Sequence, residues 1–160
     1  MKNMFFWILF LLVLAVAVGW IYLRRFEFAT IYHPSADIAV TPAQFQLRFQ
    51  EVQFIAADGT ALTGWWIPAN HPRGTVVYCH GNAGNIGSNA HVAHEFFKRG
   101  FNLLLWDYRG FGHSAGRPSE NGFYDDARAA FDAAEAMSGK LPILVYGNSL
   151  GGAVAVQLAT

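Results

Sequence analysis

Apolar residues fall into three patterns along this chain. Residues 4–23 carry no charge, a run of about twenty, which is the length a membrane-crossing helix needs. Lys2 precedes the run and Arg24 and Arg25 close it, with Trp7, Trp20 and Tyr22 placed as interfacial aromatics. From Phe45 onward the pattern shortens: Phe49, Val52, Phe54 and Ala56 fit a half-buried strand, Asp58-Gly59 signals a turn, and 62–67 forms a second strand stopped by Pro68. These two strands predict an antiparallel hairpin. The third pattern is nearly continuous: Gly74–Cys79 and Phe101–Trp106 read as apolar runs broken by Thr75 and Asn102 alone, as strands covered on both faces are, and a further apolar strand begins at Ile143.

Helical spacing fills the gaps between those strands. Val92, Phe96 and Phe97 place a helix over 88–99 that Gly100 ends, and a second helix lies around 122–137. Asp125 and Asp126 near its start suit the helix dipole and are given no further role. Strands alternating with helices predict an α/β fold, with a parallel sheet flanked by helices and a hairpin at its front edge. The chain divides into a transmembrane signal-anchor helix (1–23), an irregular connector (24–44) containing His33, and an α/β domain (45–160). The small-x-small pattern Ala15-Val16-Ala17 offers the alternative of a cleaved signal peptide. The apolar run continues past it through Trp20, Ile21 and Leu23, which favours an uncleaved single-pass anchor. Lys2 and the arginine pair oppose one another, so the side of the soluble domain stays open.

Composition removes several classes of function. The 160 residues carry a formal net charge of zero and are 53% hydrophobic, and no basic cluster is present. A nucleic-acid binder and a disordered chain are therefore both excluded. Cys79 is the single cysteine, so it has no internal disulfide partner, and its apolar strand predicts a buried thiol. His91 and His94 share a helical face without a third ligand nearby, and no metal site or cofactor is assigned.

Candidate chemistry gathers at Gly147-Asn148-Ser149-Leu150-Gly151-Gly152. A strand runs into Gly-x-Ser-x-Gly and small residues open a helix, the order of a nucleophile elbow that lifts a serine hydroxyl above a sheet. Side chains at Gly147 or Gly151 would collide with the reversing backbone. The helix after Ser149 also directs free N–H groups at the place where an oxyanion forms. Its first donor is the N–H of Leu150. Asn82, in the glycine-rich turn after Gly74–Cys79, is the candidate for the second. In the alternative reading Asn82 and Asn85 only cap a helix.

A serine nucleophile needs a base, and the base an acid. No Asp, Glu or His follows Ser149, and His33, His71, His80, His91, His94 and His113 all precede it. His91 and His94 read as solvated helix residues, His71 and His113 as loop residues, and His80 as a residue that shapes its loop. None is assigned as base.

Taken together, His80-Gly81-Asn82-Ala83-Gly84-Asn85, Asp107-Tyr108-Arg109-Gly110-Phe111-Gly112-His113-Ser114 and the elbow resemble the α/β-hydrolase superfamily. More narrowly they resemble its membrane-anchored, serine-aminopeptidase-like branch, which includes depalmitoylase-like members. The resemblance runs from about Phe49 to Thr160. It implies a cofactor-free Ser149 acyl-enzyme acting on esters, thioesters or amides, with Asp107 and Arg109 ordering their loop. The substrate is expected to be a small-molecule or lipid-linked acyl compound. Family members continue through further strands that carry the acid and the histidine. The expectation is therefore a chain truncated after the elbow, a poor catalyst as it stands, with an apolar sheet edge left unpaired. Two other readings stand beside it. One is a non-catalytic, membrane-anchored interaction protein derived from a hydrolase. The other is a dinucleotide-binding module built on Gly81, Gly84, Gly87 and Asp107, whose glycine spacing departs from that fingerprint.

Overall fold

The computed structural model describes residues 2–160, and the side chains of all of these except Lys2 and Glu27. Met1, the first residue of the expected anchor, lies outside the described residues. The chain divides into two compact units, 1–33 and 34–160.

The first unit is one helix, α1 (Lys2–Ile31). Every side chain from Asn3 to Phe26 is exposed, and Asn3–Ile31 is long and apolar enough to cross a membrane. The helix does not stop at Leu23 as the charge pattern predicts. Arg24 and Arg25 continue it, because both are good helix formers and no Gly or Pro follows until Pro34. After it, His33 donates from Nε2 to the carbonyl of Thr30 at 3.0 Å.

In the second unit five strands form one sheet: β1 (Gln50–Ile55), β2 (Ala61–Ile67), β3 (Gly74–Cys79), β4 (Phe101–Trp106) and β5 (Ile143–Gly147). Their order across the sheet is β1-β2-β4-β3-β5. The predicted hairpin is present, β1 and β2 pairing antiparallel from Gln50↔Trp66 to Ile55↔Ala61. Asp58 closes its turn by accepting the N–H of Thr60 at 3.0 Å. β2 pairs antiparallel with β4, and β3 pairs parallel with both β4 and β5. β3 is buried at all six residues and β4 at five of its six, as two-sided burial requires.

Alternation along β3 and β4 sends successive side chains to opposite faces. Val76, Tyr78, Leu103 and Leu105 pack with Ala90 and Ala93 of α2 (Ala90–Lys98). Opposite them Thr75 joins a buried polar chain, its Oγ1 accepting from Ser138 of α3 (Glu120–Ser138) at 2.8 Å and from Asn102 at 3.3 Å. Satisfying Thr75 twice removes the penalty of an unpaired hydroxyl inside the sheet. α3 starts at Ser119, whose Oγ accepts the N–H of Gly122, and it buries Ala127, Ala130 and Ala134 completely. α4 (Leu150–Leu158) follows β5.

Asp126 corrects the sequence reading. Ser119 caps the helix, and Asp126 is fully buried beneath Arg109. Its carboxylate accepts the Arg109 N–H at 2.8 Å, Nε at 3.0 Å and Nη2 at 2.7 Å. Arg109 Nη1 reaches across to Asp58 Oδ2 at 2.7 Å. One guanidinium thus joins the hairpin turn, the loop after β4 and α3. The hydrogen bonds of Thr60 and Arg109 hold the Asp58 carboxyl down at about 2, while those of Asp126 and Asp58 raise Arg109.

The connector also differs from the irregular tether that its composition suggests. Residues 35–40 lie against the domain: Ser35 donates to the Gly84 carbonyl at 2.9 Å and accepts the Gly112 N–H at 3.0 Å. Ile38 and Val40 pack on the α2 side of the core.

Candidate active site

Parallel pairing in register brings the three sequence motifs together. Cys79 pairs with Gly147 and Tyr78 with Leu105, so β3, β4 and β5 end side by side and release their loops at one edge. Loops at the carboxyl ends of parallel strands are where this class of sheet builds its sites.

Ser149 stands on the β5 loop with φ 52° and ψ −119°. Among the described residues, only Gln46 and Ser149 combine a side chain with a positive φ. Such a conformation costs on the order of 1–3 kcal/mol and persists only where packing imposes it. Here the packing is backbone against backbone. A Cβ at Gly151 would fall on the Cys79 carbonyl, and one at Gly147 would fall on the Gly151 carbonyl. Asn148 donates to the Cys79 carbonyl at 3.0 Å, and Gly151 and Gly152 turn back onto the carbonyls of Asn148 and Ser149 at 2.9 and 2.8 Å. The outcome is an exposed Ser149, with no hydrogen-bond partner for its hydroxyl among the described residues.

Leu150 opens α4, so its N–H belongs to the first turn, where the residue four back lies in β5 and offers no intrahelical carbonyl. The β3 loop runs alongside: a Cβ on Gly81 would stand 3.7 Å from Ser149 Cβ and from the Asn148 carbonyl. Asn82 follows Gly81 directly and is half-buried. Leu150 adjoins Ser149 in the chain, and Asn82 adjoins the Gly81 that packs against it.

Three anchors hold the β3 loop. His80 is fully buried; its Nδ1 lies 2.7 Å from the Gly81 carbonyl, its Nε2 lies 3.2 Å from Asp107 Oδ1, and its carbonyl accepts the Tyr108 hydroxyl at 3.0 Å. Asp107 Oδ1 also accepts the N–H of Ile86 at 2.8 Å. Gly112 makes room for this carboxylate, since a Cβ there would fall on Asp107 Oδ2. Asn85, 1% exposed, is the third anchor. Its Oδ1 accepts the Gly87 N–H at 2.9 Å while its Nδ2 donates to the carbonyls of Ser35 at 3.0 Å and Asp37 at 2.7 Å.

His80 thus shapes its loop, as its place before Gly81 predicts. Asn85 caps a 3-10 turn (Ile86–Asn89) that precedes α2, so the capping alternative holds for Asn85. Its larger role, joining the connector to the loop, has a faint sequence signal in the Asn-x-Gly turn pattern. The partner residues, 48 and 50 positions away, leave no local trace.

The other histidines lie apart from this arrangement. His71, His91 and His113 are exposed, and the His94 ring faces Phe45 at 6.4 Å. Burial pushes the Cys79 thiol up to about 12, which keeps it protonated and inert. Burial likewise raises the Tyr108 hydroxyl. Among the described residues, no three His, Cys, Asp or Glu side chains gather closely enough to share a metal ion.

With this geometry in place, residues 70–160 match the family described as serine aminopeptidase, S33. The chain belongs to that family. Its α/β-hydrolase fold is shared with the esterase Pf2001 of Pyrococcus furiosus, at a TM-score of 0.70 and 26% identity over 80% of this chain and 51% of that one. In sequence, YfhR of Salmonella typhimurium is 35% identical over 159 residues, covering 94% of this chain and 51% of its own. The lysophosphatidylserine lipase ABHD12 of Rattus norvegicus is 42% identical over 96 residues, 58% of this chain and 23% of its own. The chain spans about half the length, or less, of these relatives.

Proposed function

We propose that this chain supplies the nucleophile and the oxyanion-binding groups of a membrane-anchored serine hydrolase. Ser149 Oγ attacks the carbonyl carbon of an ester, thioester or amide. A C–O bond forms, and the carbonyl electron pair moves onto oxygen, where the N–H groups of Leu150 and Asn82 stabilise it. Collapse expels the alcohol, thiol or amine with a proton and leaves an acyl-serine that water hydrolyses.

The observation that carries this reading is Ser149 itself, exposed at φ 52° and flanked by Gly81 and Leu150. A strained, solvent-facing serine at the carboxyl edge of a parallel sheet has no structural purpose that a glycine would not serve better. No described histidine or carboxylate bonds to the Ser149 hydroxyl, and the base and acid are not assigned to residues 1–160. The apolar helix serves as a single-pass anchor. It makes lipid-borne acyl compounds the favoured substrates, which the named activities of the Pyrococcus esterase and the rat lipase support by analogy.

A fluorophosphonate probe tests the proposal on the 160-residue chain in detergent. Oxyanion and binding contacts alone retain roughly 10³-fold acceleration over solvent when triad groups are removed. The expected result is slow but selective phosphonylation, located at Ser149 by mass spectrometry and absent from Ser149→Ala. Absence of an adduct, or equal labelling of Ser149→Ala, would overturn it and leave the non-catalytic interaction protein as the reading to pursue.

A further inference from the structure

Asn85 commits both its amide hydrogens and its acceptor oxygen to joining two segments that the chemistry above does not itself join. Its acceptor oxygen holds the turn that leads into α2, and its amide hydrogens hold the carbonyls of Ser35 and Asp37. Ser35 returns a bond to the Gly84 carbonyl and receives the Gly112 N–H. The backbone of Gly87 is equally close, since a Cβ there would stand 3.0 Å from both Ile38 Cγ2 and the Val40 carbonyl. The segment 35–40 therefore lies across the loop that contains Asn82 and across the loop that contains Asp107. In the sequence only three residues separate it from Ile31, where α1 ends.

We propose that Asn85 is a positioning residue, and that through it the segment 35–37 acts as a strut fixing the loop that presents the Asn82 N–H to Ser149. The inference rests on the hydrolase reading above, because only an oxyanion donor needs its place held so closely. A misplacement of about 1 Å at such a donor lowers rates by up to about 100-fold. An anchor of this type acts on the reaction without touching the substrate. It also ties the order of the site to the stretch of chain that leads out of the apolar helix.

Two substitutions separate the strut from the turn. Asn85→Asp retains an acceptor for Gly87 but sets a carboxylate oxygen against the two carbonyls, breaking the strut alone. Ser35→Pro removes the N–H that bonds Gly84 and leaves Asn85 intact. Each variant, and the pair together, is compared with the unmodified chain in three measurements: thermal midpoint, amide hydrogen exchange over 81–87, and the rate of Ser149 phosphonylation. The expectation is faster exchange and at least about a tenfold slower reaction in each single variant, with little further loss in the double variant, because both break one element. Unchanged exchange in Asn85→Asp overturns the strut. Faster exchange with an unchanged labelling rate overturns its positioning role. A rate loss that merely tracks the fall in thermal midpoint assigns Asn85 to stability and likewise overturns it. If the unmodified chain fails to label at all, the hydrolase reading falls and the positioning role falls with it, while the exchange data alone decide whether the strut exists.

Discussion

At Ser149, side-chain chemistry and backbone geometry make opposing demands. The backbone at φ 52° and ψ −119° suits glycine, which lacks the Cβ that makes this region costly. Replacing Ser149 with Gly should therefore stabilise the domain by about 1 kcal/mol while abolishing phosphonylation. Chemical denaturation of both proteins gives the first quantity and probe labelling the second. A destabilised Ser149→Gly variant would mean that the serine is not strained. This position was legible from sequence, because the flanking glycines and the following small residues have a steric cause in the chain reversal itself. Leu150 was legible for the same reason, as the first residue of the helix that the reversal starts. Asn85 was not, since the carbonyls it binds belong to a segment that local pattern marks only as a connector.

Between elements, the Arg109 guanidinium shows how a buried charge is made tolerable. Asp126, completely buried, meets it with both carboxylate oxygens, and Asp58 meets it from the hairpin turn. Removing the Asp126 charge leaves the buried guanidinium with the exposed Asp58 as its remaining counter-charge, at about 3 kcal/mol. Asp126→Asn should lose at least that much in a urea titration, whereas Asp125→Asn, on the exposed side of the same helix, should lose under about 0.5 kcal/mol. Equal losses would return Asp126 to the dipole role that its position in α3 suggests. Strand and helix placement was largely legible: β3 and β4 occupy the residues their apolar runs mark, and the hairpin closes at Asp58-Gly59. What periodicity could not supply was the pairing of Asp126 with Arg109. A charge on an amphipathic helix looks alike in sequence whether it faces solvent or a guanidinium.

At the scale of the whole molecule, β1 and β5 form the two edges of the described sheet. β5 pairs with β3 on one side, and its Leu144 and Tyr146 are 47% and 50% exposed, with Val156 of α4 at 67%. Exposed apolar edges template pairing with other chains. The 160-residue chain should therefore self-associate in mild detergent, and Leu144→Lys should lower its apparent mass in light scattering without changing its circular dichroism. An unchanged mass would show that this edge does not drive association. The apolar helix α1 forms the other exposed surface, and its length and composition alone bring it to the membrane-spanning class.

Sequence by itself determined the α/β class, the apolar N-terminal helix, most element positions and the tight strand-to-helix turn at Ser149. Each of these depends on local sterics or on the period with which side chains meet a face, and both are written in consecutive residues. Tertiary structure alone decided that Asp126 closes on Arg109 and that residues 35–40 lie against the loop bearing Asn82. These outcomes depend on which distant groups share a buried space. Leaving a buried polar atom unpaired costs about 1–3 kcal/mol, more than most single local preferences, and the partner becomes defined only when the sheet assembles.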